Sequence, residues 1–177
     1  MRGHPVRVEA DHARRYPGAD NLATECVVNL IRTQSLVVAE LDPLFRRHRL
    51  TGPGFNVLMI IEGAGRPLAP HQIGDRRLVT RGTVTGLLDT LEKQGLVKRT
   101  PHPDDRRMLL IELTGKGKGL LKDVCSELFP AQAEMISILP KREKEMLVRM
   151  LGRLQSHLGE CAGRPLESTS GQLRVPP

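Results

Sequence analysis

The sequence predicts a mainly α-helical protein, six helices carrying one small β-hairpin. Three observations lead there. Apolar residues recur at helical spacing in long stretches towards both ends: Leu30, Val37, Val38, Leu41, Leu44 and Phe45 in one, Leu147, Met150, Leu151, Leu154 and Leu158 in the other. In the stretch QGLVKRTPHPDDRRMLLIELT, Gln94 to Thr114, two β-rich runs flank a short charged loop, and Leu109, Ile111 and Leu113 alternate at period two. Between these regions, Gly and Pro cut the chain into short helical segments.

The elements follow in order. Residues 1–18 are polar, with Pro5, Pro17 and Gly18, and are expected to form a flexible arm. The first helix runs from an Asp20 cap to Arg47, with Pro43 kinking its last turns. TGPGFNVLMIIEGAG gives the second, with Pro53 near its start and Gly63 and Gly65 at its end. RPLA is short and extended. Pro70 opens a short third helix to about Leu78, and a tight turn at Val79-Thr80 leads into the fourth, Arg81 to Gln94, ended by Gly95. Val84, Leu87, Leu88 and Leu91 mark its buried face. After the hairpin, Thr114 caps a fifth helix to about Ile138, bent at Pro130, and the sixth spans Pro140 to about Cys161. Residues 163–177 have the composition of a disordered tail. The centre of the chain is therefore a helix-turn-helix followed by a hairpin.

Composition narrows the function. Lys plus Arg number 27 against 20 acids, a net charge of +7, which favours a polyanionic partner. Aromatics make up 2%, with no Trp, too few for stacking on single-stranded bases. Cys26, Cys125 and Cys161 share no metal spacing, and this sparse, odd set suits a reducing cytoplasm. The six histidines are scattered, so no metal and no cofactor is expected. The opening residues hold no apolar run of a signal peptide, and no segment is expected to span a bilayer. Nucleophile elbow, Walker A, dinucleotide glycine pattern and His-Glu-x-x-His are all missing, which argues against an enzyme. TGKGKG, Thr114 to Gly119, fits a helix cap better than a phosphate loop.

TRGTVTGLLDTLEKQGLVKR (Thr80 to Arg99) and DDRRMLLIELTGKG (Asp104 to Gly117) resemble the multiple antibiotic resistance regulator (MarR) family of winged helix-turn-helix transcription factors. LTGPGFNVLMII and REKEMLVRMLGRL fit its second and last helices, and the likeness covers roughly residues 20–160. It implies a homodimer on duplex DNA, with the first, fifth and sixth helices of two chains interlocked. The domains would then be residues 19–64, N-terminal helices for dimerisation and a hinge; 65–113, the winged DNA-binding lobe; and 114–162, C-terminal dimerisation helices.

A helix enters the major groove with its N-terminal residues leading. Here these are Arg81, Gly82, Thr83 and Thr85: the arginine suits a guanine edge, and the threonines suit bases or a thymine methyl. The resemblance assigns an Asp-x-Arg pair to Asp105 and Arg107 at the wing tip. An arginine there reaches a narrow minor groove, with Arg106 beside it, and Asp105 orients the guanidinium. Arg76, Lys98 and Arg99 are candidate phosphate contacts. Residues 66–107 hold nine Lys/Arg against five acids, so the charge excess concentrates in this lobe. Two positions depart from the family pattern, Arg77 in place of a buried Leu and Gly86 in place of a basic residue.

Many family members release DNA when a small lipophilic or phenolic acid binds between the dimer helices and the lobe. That position maps to Phe45, His48 and Met59, with Arg49 supplying charge. Redox members use a cysteine early in the first helix, with tyrosines nearby. Cys26 occupies a neighbouring position, Tyr16 is the only tyrosine, and a buried structural thiol is expected, with redox sensing through Cys26 as the alternative. The expectation is a cytoplasmic, homodimeric, sequence-specific DNA-binding regulator, a repressor rather than an activator, recognising a pseudo-palindromic operator. The rival is a sequence-neutral architectural DNA-binding protein.

Overall fold

The computed structural model of the protein describes residues 4–74, 81–103 and 108–161. Among them are seven helices and one two-stranded sheet: α1 (His12–Arg15), α2 (Asn21–Arg47), α3 (Gly52–Ala64), α4 (Pro70–Gly74), α5 (Arg81–Lys93), β1 (Val97–Pro101), β2 (Leu109–Leu113), α6 (Gly115–Met135) and α7 (Lys141–Cys161). The seventh helix, beyond the six expected, is the single turn α1 inside the segment read as a flexible arm. The chain divides into two compact units, Met1–Pro130 and Ala131–Pro177.

The first unit holds the core. Asp20 caps α2 by accepting the Ala23 amide at 3.0 Å, and Thr51 caps α3 by accepting the Gly54 amide at 3.1 Å. Gly65 and Gly95 follow α3 and α5 with φ of 62° and 71°, the left-handed geometry that lets the chain leave a helix abruptly. Val57, Leu58, Ile73, Val84, Leu88 and Val124 are at most 2% exposed, so α3, α4, α5 and α6 share one apolar interior. The hairpin closes over it in antiparallel register, Val97 opposite Leu113 through Pro101 opposite Leu109. Leu68 adds a bridge on the other edge of β2, exchanging both amide bonds with Ile111 at 2.8 and 3.0 Å. RPLA is thus the third rung of the wing.

The start of α6 is pinned to the hairpin. Thr114 Oγ1 donates to the Gly95 carbonyl at 2.7 Å and accepts the Gly117 amide at 3.0 Å. Gly117 sits so close to the Leu96 carbonyl that a Cβ there would lie 2.1 Å from the oxygen. TGKGKG is therefore a cap followed by a close backbone crossing.

Two expectations about the N-terminal region change. Residues 4–9 do not dangle: they run antiparallel along α2, held by Asn29 and Glu25. By length and composition α2 is long and apolar enough to cross a membrane. The apolar residues were read at sequence level as a stripe, and the stripe occupies one side only; Glu25, Asn29 and Arg32 occupy another. α2 is continuous through Pro43. The second unit, taken by itself, contains α7, whose Met146, Met150, Leu154 and Leu158 recur every four residues and are exposed.

Candidate nucleic-acid interface

α5 is the element on which the site is built. Its pattern RGTVTGLLDTLEK places Val84, Leu88 and Leu91 inward, each at most 2% exposed, and leaves Thr85 and Gly86 outward. The Thr90 hydroxyl turns back onto the Gly86 carbonyl at 2.9 Å, and a Cβ at Gly86 would meet nothing within 4 Å. At Thr85 and Gly86 the outer face is therefore free of packing among the described residues. Arg81, Gly82 and Thr83 form the first turn of α5, and their side chains lie outside the described residues. Arg76, Arg77 and the wing-tip residues Asp105, Arg106 and Arg107 also lie outside them.

The two basic residues of β1 are both engaged. Alternation along β1 puts Arg99 on the same face as Val97, opposite Ile111, the face that packs against α5. Its guanidinium therefore meets two carboxylates one helical turn apart on α5, Asp89 at 2.5 Å and Glu92 at 2.5 Å. The Asp89 bond, helped by the Glu92 charge against a desolvation cost, holds the guanidinium still more firmly protonated than usual. Lys98 faces the other way and pairs at 3.0 Å with Glu112, its direct cross-strand partner. Nothing in the local sequence announces the Arg99 fork. The signal was the i, i+3 pair of acids on a helix that precedes an inward-facing strand position.

This arrangement, a short helix α4 followed by a helix α5 that is fastened to a β-hairpin, can be compared with known proteins. Residues 50–108 match the MarR family model. The chain is 31% identical over 149 residues to the HTH-type transcriptional repressor YetL of Bacillus subtilis, covering 84% of this chain and 89% of that one. The chain belongs to the MarR family. It is also 33% identical over 131 residues to the HTH-type transcriptional regulator PecS of Dickeya dadantii, covering 73% of this chain and 79% of that one. A MarR variant from E. coli complexed with operator DNA shares the fold, with a TM-score of 0.67 and 22% identity over 83% of this chain and 99% of that one. This MarR-family chain is accordingly a transcriptional regulator.

Of the residues expected around an effector, Phe45 lies in the last turn of α2, His48 caps that helix, Arg49 follows it and Met59 lies on α3. Phe45 is buried and stacks obliquely on Phe55, ring centroids 5.1 Å apart. Met59 is half-buried, its sulfur 3.9 Å from Cys125 Sγ, and the same burial pushes the Cys125 thiol pKa up. Arg49 is exposed at φ 55°, and its carbonyl accepts the Gln94 amide at 3.1 Å. His48 Nε2 lies 2.9 Å from Glu127 on α6, and Arg47 reaches the same carboxylate at 2.5 Å. Arg47, with His48 second, holds the Glu127 carboxyl below the usual carboxylate range. Glu127 was missed at sequence level because its partners are distant in the chain. Cys26, expected buried, is exposed. Its place on the apolar stripe gave the wrong answer because, among the described residues, nothing covers the amino-terminal half of that stripe.

Proposed function

We propose that this protein is a homodimeric, sequence-specific repressor of the cytoplasm that binds a pseudo-palindromic operator in duplex DNA and releases it to a small lipophilic or phenolic acid. The observation that carries the reading is the Arg99 fork. It makes α5 and the wing one rigid unit, with the outer face of Thr85 and Gly86 left uncommitted. A reading helix needs such bracing, because base contacts demand fixed register while phosphate contacts tolerate play. In this role Arg99 positions α5 and the wing, and the groove is met by Arg81, Thr83 and Thr85 from the helix and by Arg106 and Arg107 from the wing, with Asp105 orienting. Lys98 and Arg76 face phosphates.

Dimerisation is supported by apolar residues left exposed among the described residues: Val27, Leu30, Ile31, Val37 and Val38 on α2, and Met146, Met150, Leu154 and Leu158 on α7. An effector would act at the corner where Arg47 and His48 of α2 clasp Glu127, beside Phe45 and Met59. Calorimetry with salicylate-like acids on wild type and His48→Ala tests that part; no heat with either protein removes it. A second reading is release by oxidation of the Cys26 thiol, which is exposed within the single chain. Peroxide should then weaken DNA binding by wild type and leave Cys26→Ser unaffected.

The deciding experiment is binding to the DNA upstream of the protein's own gene, against scrambled duplex, across a salt series. Wild type should prefer its own DNA. Arg81→Ala and Arg107→Ala should each weaken binding and flatten the salt slope by about one unit if the lost contact is ionic. Equal affinity for scrambled duplex would replace this reading with the architectural one.

A further inference from the structure

The amino-terminal half of α2 carries a second built surface, on the side away from its apolar stripe. At about 100° per residue, Glu25, Asn29 and Arg32 lie within about 60° of arc, while Val27, Leu30, Ile31, Val37 and Val38 spread over the far side. Residues 4–9 lie along the polar track. Asn29 Oδ1 accepts the Val6 amide at 2.8 Å, and Asn29 Nδ2 donates to the Val6 carbonyl at 2.9 Å. The side-chain amide thus pairs with a peptide unit as a neighbouring strand would, and its other hydrogen goes to the Glu25 carbonyl at 2.8 Å. Glu25 accepts the Val8 amide at 3.0 Å and the Arg7 guanidinium at 2.8 Å. Arg32 reaches the His4 carbonyl at 3.3 Å, and Asn21 the Glu9 carbonyl at 3.5 Å.

The match of lengths is close. Five extended steps from His4 to Glu9 span about 16 Å. Eleven helical steps from Asn21 to Arg32 span about 16 Å. These six residues therefore visit three turns of helix without slack, and the intervening residues, with α1 and Gly18 at φ 90°, supply the reversal.

We propose that residues 4–9 are a strap that holds the amino-terminal half of α2 helical and so strengthens dimerisation, without entering the dimer face. The physical need is plain. Residues 21–40 include no buried side chain, so within one chain this half of α2 has no core to order it. The strap adds hydrogen bonds from its own backbone to the side chains of Asn29, Glu25 and Arg32, and an ion pair, on one side, and leaves the apolar side open for a partner. The dimer part of the proposal rests on the homodimer reading above.

The test is amide hydrogen exchange across residues 21–31, together with sedimentation over a dilution series, on the 177-residue chain. Wild type is compared with Asn29→Ala and with a chain lacking residues 2–9. Alanine is the better intrinsic helix former, so a merely local effect would slow exchange in Asn29→Ala. The strap predicts the opposite, exchange about tenfold faster in both variants, and dimers that dissociate at higher protein concentration. Unchanged or slower exchange overturns the strap. Faster exchange with an unchanged dissociation constant overturns its link to dimerisation. A wild type that is monomeric at every concentration removes the homodimer reading, and exchange then judges the bracing alone.

Discussion

The winged lobe and α2 teach opposite lessons about where stability comes from. In the core that the lobe shares with α3, Leu58, Leu88 and Ile111 are at most 1% exposed, and the described helices and hairpin pack on one another. On α2 an equally apolar set stays in solvent, with Leu30 at 44% and Ile31 at 59%. The lobe is finished by its own chain; α2 is finished only by something laid against it. The same leucine deletion should therefore have different consequences in the two places. Leu58→Ala should cost about 3 kcal/mol of unfolding free energy at any protein concentration. Leu30→Ala should cost less than about 1 kcal/mol when dilute, with any larger loss emerging only where wild type dimerises. Denaturant melts at two concentrations measure both, and a concentration-independent loss at Leu30 would erase the contrast.

Within the lobe, the close crossing at α6 sharpens the point, because its two glycines differ. A Cβ at Gly117 would strike the Leu96 carbonyl oxygen, whereas at Gly119 it would meet nothing within 4 Å. Gly117→Ala should destabilise by about 2 kcal/mol. Gly119→Ala should gain about 0.5 kcal/mol from helix propensity alone. Equal melting temperatures for the two variants would mean that α6 does not cross the hairpin this tightly.

That pair also shows what the sequence could and could not reveal. Thr114 as a cap was legible, since Thr before a helical run is a local signal. The separate duties of Gly117 and Gly119 were not, because what sets them apart is a carbonyl twenty-one residues away from one of them. The hairpin and the inward face of α5 were legible from alternation at period two and from Val84, Leu88 and Leu91. The partners of Arg99 were not, although each lies on a correctly placed element, because periodicity gives faces and not rotamers. On α2 the stripe was read correctly, as a surface in need of a partner, while Cys26, expected buried, is exposed within the chain. An apolar stripe reports that a surface wants cover, and does not say which chain provides it. The arm misled for the converse reason: its composition is polar, and its order comes from Asn29 and Glu25, more than fifteen residues away.

A smaller effect separates bracing from stability in the lobe. Arg99→Lys keeps the charge and loses the planar fork that spans Asp89 and Glu92. All three side chains are partly in water, so the melting temperature should hardly move. Operator affinity should fall by about tenfold, since α5 and the wing would no longer share one geometry. An unchanged affinity would reduce the fork to a surface ion pair.

The smallest effects are in pH, and they distinguish the two ends of α2. Glu25 is held below the usual carboxylate range first by the Val8 amide and then by Arg7, Glu127 first by Arg47 and then by His48. A carboxyl depressed in the folded state stabilises that state above its unfolded pKa, about 4.3 for glutamate, and the contribution disappears as pH falls through the lower folded value. Both residues therefore add an acid limb below about pH 4. The limb from Glu25 should appear in amide exchange of residues 21–31 and leave the melt of the lobe unmoved, because it fastens only the strap. The limb from Glu127 should appear in the melt, because Glu127 ties α2 to α6, whose neighbouring Val124 and Leu128 are core. Glu25→Gln and Glu127→Gln should each flatten one limb and spare the other. If either substitution flattened both, the two ends of α2 would be one cooperative unit, and the contrast between a self-sufficient lobe and an open helix would fail at that joint.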